Sequence, residues 1–142
     1  MVGELDLKAS YPKVLQVTGG NIDKKDIENN NINITKTIIR ETLEELNIDL
    51  NQIDNRIGYM YISEKDEQPG VQIFSKAQIN MTEKEMEKYF EEYNEYLRKN
   101  SLEVEFGKIY LLKKETAVEE IENLKNPRRN YLLPLIKADS KK

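Results

Sequence analysis

The chain has 142 residues, a formal net charge of -4 and neither histidine nor cysteine. Without these two residue types it offers no thiol nucleophile, no Ser-His-Asp triad, no zinc finger and no histidine-ligated metal site. The acidic balance argues against general affinity for nucleic acid. No apolar run reaches the roughly 20 residues of a membrane span, and the first residues lack signal-peptide features, so we expect a cytoplasmic protein. The length suits a single domain over residues 1–142 with one core.

The first half of the chain predicts a short strand, a polar loop and an amphipathic helix. The strand is expected over residues 14–17 and leads into a glycine pair. Residues 21–34 are polar and rich in asparagine, which predicts a loop. The helix is expected over about residues 36–47, with Thr35 as its N-cap.

Strands and helices alternate in the second half. The spacing of apolar residues predicts strands over 57–63, 71–79 and 104–113, a turn over 64–70, and helices over about 82–99 and 116–125. Capping boxes are expected at both helix starts, from Thr82 to Glu85 and from Thr116 to Glu119. The inward parity of the last strand changes near Gly107, which predicts a bulge. Residues 131–136 are apolar but contain a proline, so they are either a docked tail or the start of a last helix.

The first predicted helix carries an acidic cluster. At about 100° per residue, three carboxylates share one face and four uncharged side chains share the other: Glu41, Glu44 and Glu45 against Ile39, Thr42, Leu43 and Leu46. Like charges at these spacings repel, so the helix gains from the cluster only if a cation neutralises it. A hard divalent cation with oxygen ligands, most simply Mg²⁺ with Mn²⁺ as the alternative, is the natural occupant. A solvated helix face is the other interpretation, since 34% of the residues are charged.

Residues 40–48, Arg-Glu-Thr-Leu-Glu-Glu-Leu-Asn-Ile, resemble the second half of the Nudix box, a signature of diphosphate hydrolases. Gly19-Gly20 is similar to the paired glycines of such domains, and Glu105-Phe106 shortly before Tyr110-Leu111 is similar to their late strand. The resemblance spans roughly residues 11–125. It implies an α+β fold of the Nudix type, an α/β/α sandwich in which a small mixed sheet is flanked by helices.

The chain departs from the Nudix pattern at three places. Ile32 stands where the family has a glutamate eight residues before the arginine, and Asn47 stands where the box has glycine. Asparagine tolerates the left-handed conformation that ends helices, so the second change is mild. The loop over residues 24–34 carries an insertion, and either Asp26, at the family's spacing from the glycine, or Glu28 could supply the missing carboxylate.

The resemblance also implies a site and a chemistry. Mg²⁺ would be held by Glu41, Glu44, Glu45 and the Gly20 carbonyl, and a metal-bound water would attack phosphorus. Glu44 is then both ligand and catalytic residue, and Arg40 braces the carboxylates. Glu105 or Glu103 would add a late ligand or act as general base. The expected substrate is a nucleoside diphosphate linked to another moiety, or another organic diphosphate.

Two further interpretations remain open. The domain could be a Nudix-fold binding or regulatory module without catalysis, which Ile32 favours, whereas the intact run from Arg40 to Glu45 favours the enzyme. It could also be a small α+β domain unrelated to that family. Only 18 residues precede the glycine pair, where Nudix domains have one or two strands. Either the sheet is smaller, or the sequence is truncated, or a partner supplies the missing strand. Because an uncovered sheet edge recruits pairing, we expect either a homodimer or an edge covered by residues 5–9.

Overall fold

The computed structural model describes residues 1–52, 58–64 and 71–141. The strands within these ranges are β1 (Val2–Leu5), β2 (Leu15–Gln16), β3 (Ile27–Glu28), β4 (Asn31–Ile32), β5 (Gly58–Glu64), β6 (Val71–Lys76) and β7 (Phe106–Tyr110). The α-helices are α1 (Ile34–Leu46), α2 (Glu83–Lys99), α3 (Ala117–Asn123) and α4 (Leu132–Ser140), and a 3-10 helix covers Lys24–Asp26. The expected α+β class is confirmed, and the Nudix-like sandwich stays a prediction.

The chain divides into two compact units. One consists of Met1–Thr18 together with Thr82–Lys142, and the other is Gly19–Met81. No helix in the described part of the chain is both long enough and apolar enough to cross a membrane.

The first unit contains a three-stranded sheet in the order β2-β1-β7, with antiparallel pairing on both sides of β1. Val2 and Leu5 of β1 are buried, so the N-terminal segment supplies the middle strand. The expectation that residues 5–9 cover a sheet edge is therefore wrong. Two strands, β1 and β2, precede the glycine pair, and a single parallel bridge joins Leu15 to Arg128 beside β2.

The bulge predicted near Gly107 is confirmed. Glu4 pairs with Lys108 and the next residue, Leu5, pairs with Phe106, which leaves Gly107 as the extra residue of β7. A Cβ at Gly107 would lie 3.0 Å from Oδ2 of Asp6, so glycine suits this close approach between β7 and the segment that follows β1. The strand is shorter than predicted because regular pairing covers only Phe106–Tyr110.

Helix α2 begins and ends as its sequence predicts. The Thr82 side chain accepts the Glu85 N–H, and the Glu85 carboxylate accepts the Thr82 N–H at 2.7 Å, which completes the capping box. The Thr82 N–H lowers the pKa of Glu85 because it stabilises the carboxylate. One contact was not predicted: the buried Asn94 side chain donates to the Phe106 carbonyl of β7 at 2.8 Å.

The last two helices complete the core of the first unit. Thr116 precedes α3 but makes no capping hydrogen bond to the backbone; its hydroxyl instead donates to the Glu120 carboxylate, so the second capping box is wrong. The segment after residue 131 is the helix α4, with its proline in the first turn. Four buried residues from different elements form this core: Val2, Leu15, Ile121 and Leu132.

The second unit contains two hairpins. In the first, β3 pairs with β4, and the connecting Asn29 and Asn30 both have positive φ, of 50° and 63°. Asparagine adopts this conformation readily, so two such residues close a tight hairpin. The predicted loop over 21–34 is therefore right for residues 21–23 and wrong for most of the rest, where a 3-10 helix, the hairpin and the start of α1 lie. In the second hairpin β5 pairs with β6, which ends at Lys76 instead of residue 79. Most of the predicted turn over 64–70, from 65 onward, and residue 57 lie outside the described residues.

Candidate functional site at the glycine turn and helix α1

Helix α1 begins two residues earlier than predicted and ends as expected. Its N-cap is Asn33, whose side chain accepts the Lys36 N–H at 3.0 Å, so Thr35 is a helical residue and not the cap. The hairpin ends directly before Asn33. The prediction of a loop in this segment did not indicate that position for the N-cap. Asn47 ends the helix with φ 55° and ψ 29°, the left-handed conformation that asparagine tolerates.

The two faces of α1 are separated nearly as predicted. Thr42 and Leu46 are buried, whereas Glu44 is exposed and Glu41 is partly buried. Leu43, which was assigned to the apolar face, is 42% exposed. The carboxylates therefore lie along the accessible side of the helix, with Glu41 set more deeply than Glu44.

The glycine pair lies against this acidic side, within the same compact unit. The Gly19 N–H donates to Oε2 of Glu45 at 3.0 Å, and Nη2 of Arg40 donates to the Asn21 carbonyl at 3.1 Å. A Cβ at Gly20 would overlap the Glu41 carboxylate. Gly19 has open space around it but a φ of +150°, which side chains rarely adopt. The two glycines thus serve different purposes: Gly19 permits the backbone turn and Gly20 leaves room for Glu41.

Arg40 holds three carboxylates at once. Its Nε and Nη2 donate to the two oxygens of Asp26 at 3.2 and 2.9 Å, a bidentate pair. Its Nη1 lies 2.6 Å from Oε1 of Glu41 and 3.3 Å from Oε2 of Glu44. Because these acids stabilise the charged guanidinium, above all Asp26, the pKa of Arg40 is raised even though desolvation opposes the shift.

Asp26 is the innermost acid of the group. Its side chain is fully buried, and it accepts the Asp23 N–H at 2.8 Å in addition to its two bonds from Arg40. The Arg40 hydrogen bonds, followed by that of the Asp23 N–H, hold the pKa of Asp26 well below its usual range. Asp26 is therefore ionised at neutral pH and fixes the plane of the guanidinium.

Of the two acids in the inserted loop, only Asp26 contacts Arg40. Glu28 instead binds Nζ of Lys36 at 2.8 Å and accepts from the Asn33 amide at 3.2 Å. The pKa of Glu28 is lowered, chiefly by Lys36. Ile32, at the family's glutamate position, pairs with Ile27 in the hairpin and is 59% exposed. The spacing from Gly20 to Asp26 was the sequence signal that pointed to the residue now found on Arg40.

The donor set suits a hard divalent cation. Mg²⁺ in proteins is commonly bound by one or two carboxylates, with waters and substrate phosphates completing its shell. Glu41 and Glu44 both reach the same nitrogen of Arg40, so their oxygens already converge on one positive group. The Glu45 carboxylate is turned to the Gly19 N–H. Among the described residues, no group of three or more acidic side chains is arranged so that it could hold a metal ion. Glu41 and Glu44 are thus the predicted ligands whose oxygens lie close together, and the metal site as a whole stays a prediction.

The remaining predicted acids belong to the other compact unit. Glu105 lies just before β7, where its backbone carbonyl accepts the Asp6 N–H at 2.9 Å. Glu103 is exposed. Their roles as a late ligand or general base stay predictions, as does that of the Gly20 carbonyl.

One cation at this site was not foreseen from the sequence. Nζ of Lys25, on the 3-10 helix, lies 3.7 Å from Oε1 of Glu44.

Comparison with known proteins adds no relative, since no family model, curated protein or solved structure matches the chain.

Proposed function

We propose that the chain is a Mg²⁺-dependent hydrolase of an organic diphosphate, with a nucleoside diphosphate linked to another moiety as the expected substrate. The observation that carries this proposal is the convergence of Glu41 and Glu44 on one nitrogen of Arg40 beside the glycine turn. Two carboxylates fixed in this way are the ligands that Mg²⁺ uses together with substrate phosphates. The likeness of residues 40–48 to the Nudix box supports the same reaction.

Each residue of the group has a distinct task in this mechanism. Glu41 and Glu44 would hold the cation. Arg40 keeps both carboxylates oriented, and the buried Asp26 keeps Arg40 in its plane through the bidentate pair. Gly20 allows Glu41 to approach the turn without steric overlap. The cation, when bound, supplies charge neutralisation for the diphosphate and a water of lowered pKa as the nucleophile.

Turnover on a panel of nucleoside diphosphate derivatives tests the proposal. The full chain is assayed with Mg²⁺ or Mn²⁺, and an added phosphatase converts phosphomonoester products to inorganic phosphate, which is measured by colour. We expect at least one substrate to be hydrolysed, with turnover reduced about 100-fold or more in Glu44→Gln.

The matched control is Glu91→Gln, which removes the same charge from an exposed position on α2. Its turnover should equal that of the wild-type chain. Absence of metal-dependent hydrolysis across the panel would overturn the proposal, as would a Glu44→Gln variant as active as the control.

One observation favours a second candidate, a diphosphate-binding or regulatory module without catalysis. Arg40 and Lys25 already place two cations on the acidic side of α1, so its like charges are partly neutralised without a metal. Titration with Mn²⁺ and with methylenediphosphonate in Mg²⁺ separates the candidates: binding of both without turnover supports the module. A chain that binds no divalent cation would favour an α+β domain unrelated to either.

A further inference from the structure

The two cations of the acidic group differ in exposure: the Lys25 side chain is largely exposed, whereas that of Arg40 is mostly buried. The side chains of Lys25 and Glu44 are 56% and 53% exposed, and their charged atoms are 3.7 Å apart. The Arg40 side chain is only 17% exposed and is tied to Asp26 by two hydrogen bonds. The contact of Lys25 with its carboxylate can therefore break with little loss of free energy, whereas the contacts of Arg40 cannot.

We infer that Lys25 is a phosphate-binding residue that exchanges partners when the site is loaded. In the structure its ammonium lies 3.7 Å from Oε1 of Glu44, and with a diphosphate bound it would contact a non-bridging oxygen of that diphosphate. This inference rests on the proposed function. It adds a residue from the inserted loop, which lies outside the stretch that resembles the Nudix box.

The exchange follows from the strength of the pair that must break. Exposed ion pairs of this kind contribute little to stability because both side chains remain hydrated and lose rotamer freedom. Lys25 would lose this partner if Glu44 bound a divalent cation, because the two positive charges would repel each other. The lysine side chain is long and flexible and carries a compact charge, which suits a phosphate oxygen within reach of the same carboxylate. Lys25 thus competes with the metal for Glu44 but assists the diphosphate that the metal recruits.

The neighbouring lysine offers a matched control. Lys24 lies on the same 3-10 helix and is exposed, and among the described residues its side chain forms no ion pair. Lys24→Met and Lys25→Met therefore remove the same charge from adjacent positions, and only the second removes the contact with Glu44.

Two binding measurements on the full chain test the inference, because it predicts that the affinity for one probe rises and the affinity for the other falls. Mn²⁺ alone is titrated by electron paramagnetic resonance, and methylenediphosphonate, which is not hydrolysed, is titrated calorimetrically in excess Mg²⁺. Lys25→Met should bind Mn²⁺ about two- to fivefold more tightly, because a competitor for Glu44 is gone. It should bind methylenediphosphonate about tenfold more weakly, because a charge-assisted hydrogen bond is lost. Lys25→Arg should keep most of the diphosphonate affinity, and Lys24→Met should change either affinity less than about twofold.

Other results would overturn the inference. A loss of both affinities in Lys25→Met would indicate a structural role, and equal changes in Lys24→Met and Lys25→Met would indicate a general effect of charge. Unchanged affinities in Lys25→Met, with a wild-type chain that binds both probes, would remove the inference and leave the proposed function intact. A wild-type chain that binds neither probe would overturn both.

Discussion

Replacement of Gly20 by alanine tests the close approach between the glycine turn and helix α1. The added Cβ would overlap the Glu41 carboxylate, which is the far end of a flexible side chain. The side chain can therefore rotate away, so the fold should survive while Glu41 leaves Arg40. The perturbation removes one contact of the site without removing any functional group.

The expected magnitude follows from the contact that is lost. Oε1 of Glu41 lies 2.6 Å from Nη1 of Arg40, and the two side chains are 14% and 17% exposed. A hydrogen bond between charged groups at this depth contributes about 1.5–3 kcal/mol. We expect Gly20→Ala to lower the free energy of unfolding by about that amount. We also expect Mn²⁺ to bind about 10- to 100-fold more weakly.

A double-mutant cycle measures whether Glu41 is the cause. The free energy of unfolding is obtained from urea titrations of the wild-type chain, Gly20→Ala, Glu41→Ala and the double variant. Once Glu41 is truncated, the added Cβ has space, so Gly20→Ala should have little further effect. Gly19→Ala is the control, because its effect comes from a φ of +150° with nothing nearby and should be about 1–3 kcal/mol in either background.

Additivity would refute the reasoning. If the effects of Gly20→Ala and Glu41→Ala add to within about 0.5 kcal/mol, the two residues do not interact. A Gly20→Ala variant with wild-type stability and wild-type Mn²⁺ affinity would likewise show that Glu41 does not lie against the turn.

Two further predictions concern pH. Asp26→Asn should lower the free energy of unfolding at neutral pH and make that free energy depend less on pH in the acid range. Because the pKa of Asp26 is lowered in the folded chain, the contribution of this residue to stability is full above the ordinary pKa of 3.8 and is lost as the pH falls below that value. Urea unfolding in metal-free buffer from about pH 7 to about pH 2 measures this, and an unchanged acid limb would contradict it. Burial, followed by the hydrogen bond to Glu4, raises the pKa of Tyr110 from 10.0 to about 12. The free energy of unfolding should therefore decline as the pH rises between these two values, because the unfolded chain loses the tyrosine proton first. Tyr110→Phe should remove this decline, and it should also remove a late-titrating component from the phenolate absorbance of the folded chain.

Local rules were sufficient where the determinants lie within a few residues. The Thr82 capping box depends on a residue and its neighbour three positions later, and the left-handed Asn47 depends on one side chain. The bulge at Gly107 was visible as a change of alternation within one strand. The same rules failed at Thr116, whose hydroxyl reaches a side chain four positions later in place of the backbone. Local pattern permits a cap but does not decide between competing partners.

Contacts between distant residues were out of reach of the sequence. The position of β1 between β2 and β7 depends on pairing with a strand about a hundred residues away. The bond from Asn94 to the Phe106 carbonyl depends on how α2 packs on that strand. At the candidate site, residue types on α1 predicted the acidic face, but nothing local predicted that Lys25 reaches Glu44. Charged side chains have many possible partners of opposite sign, so only the folded chain selects among them.

The hairpin explains how a long stretch of chain can separate Gly20 from Glu41 in sequence while the glycine turn stays beside the acids. The Asn33 N–H donates to the Asp26 carbonyl at 2.8 Å, so the chain leaves and re-enters at nearly the same point. Residues 27–32 form a closed hairpin between these ends. Asp26, at the base of this hairpin, makes the bidentate pair with Arg40. A hairpin of this kind lengthens the chain between Gly20 and Glu41 without moving the two residues apart in space, since a Cβ at Gly20 would still overlap the Glu41 carboxylate.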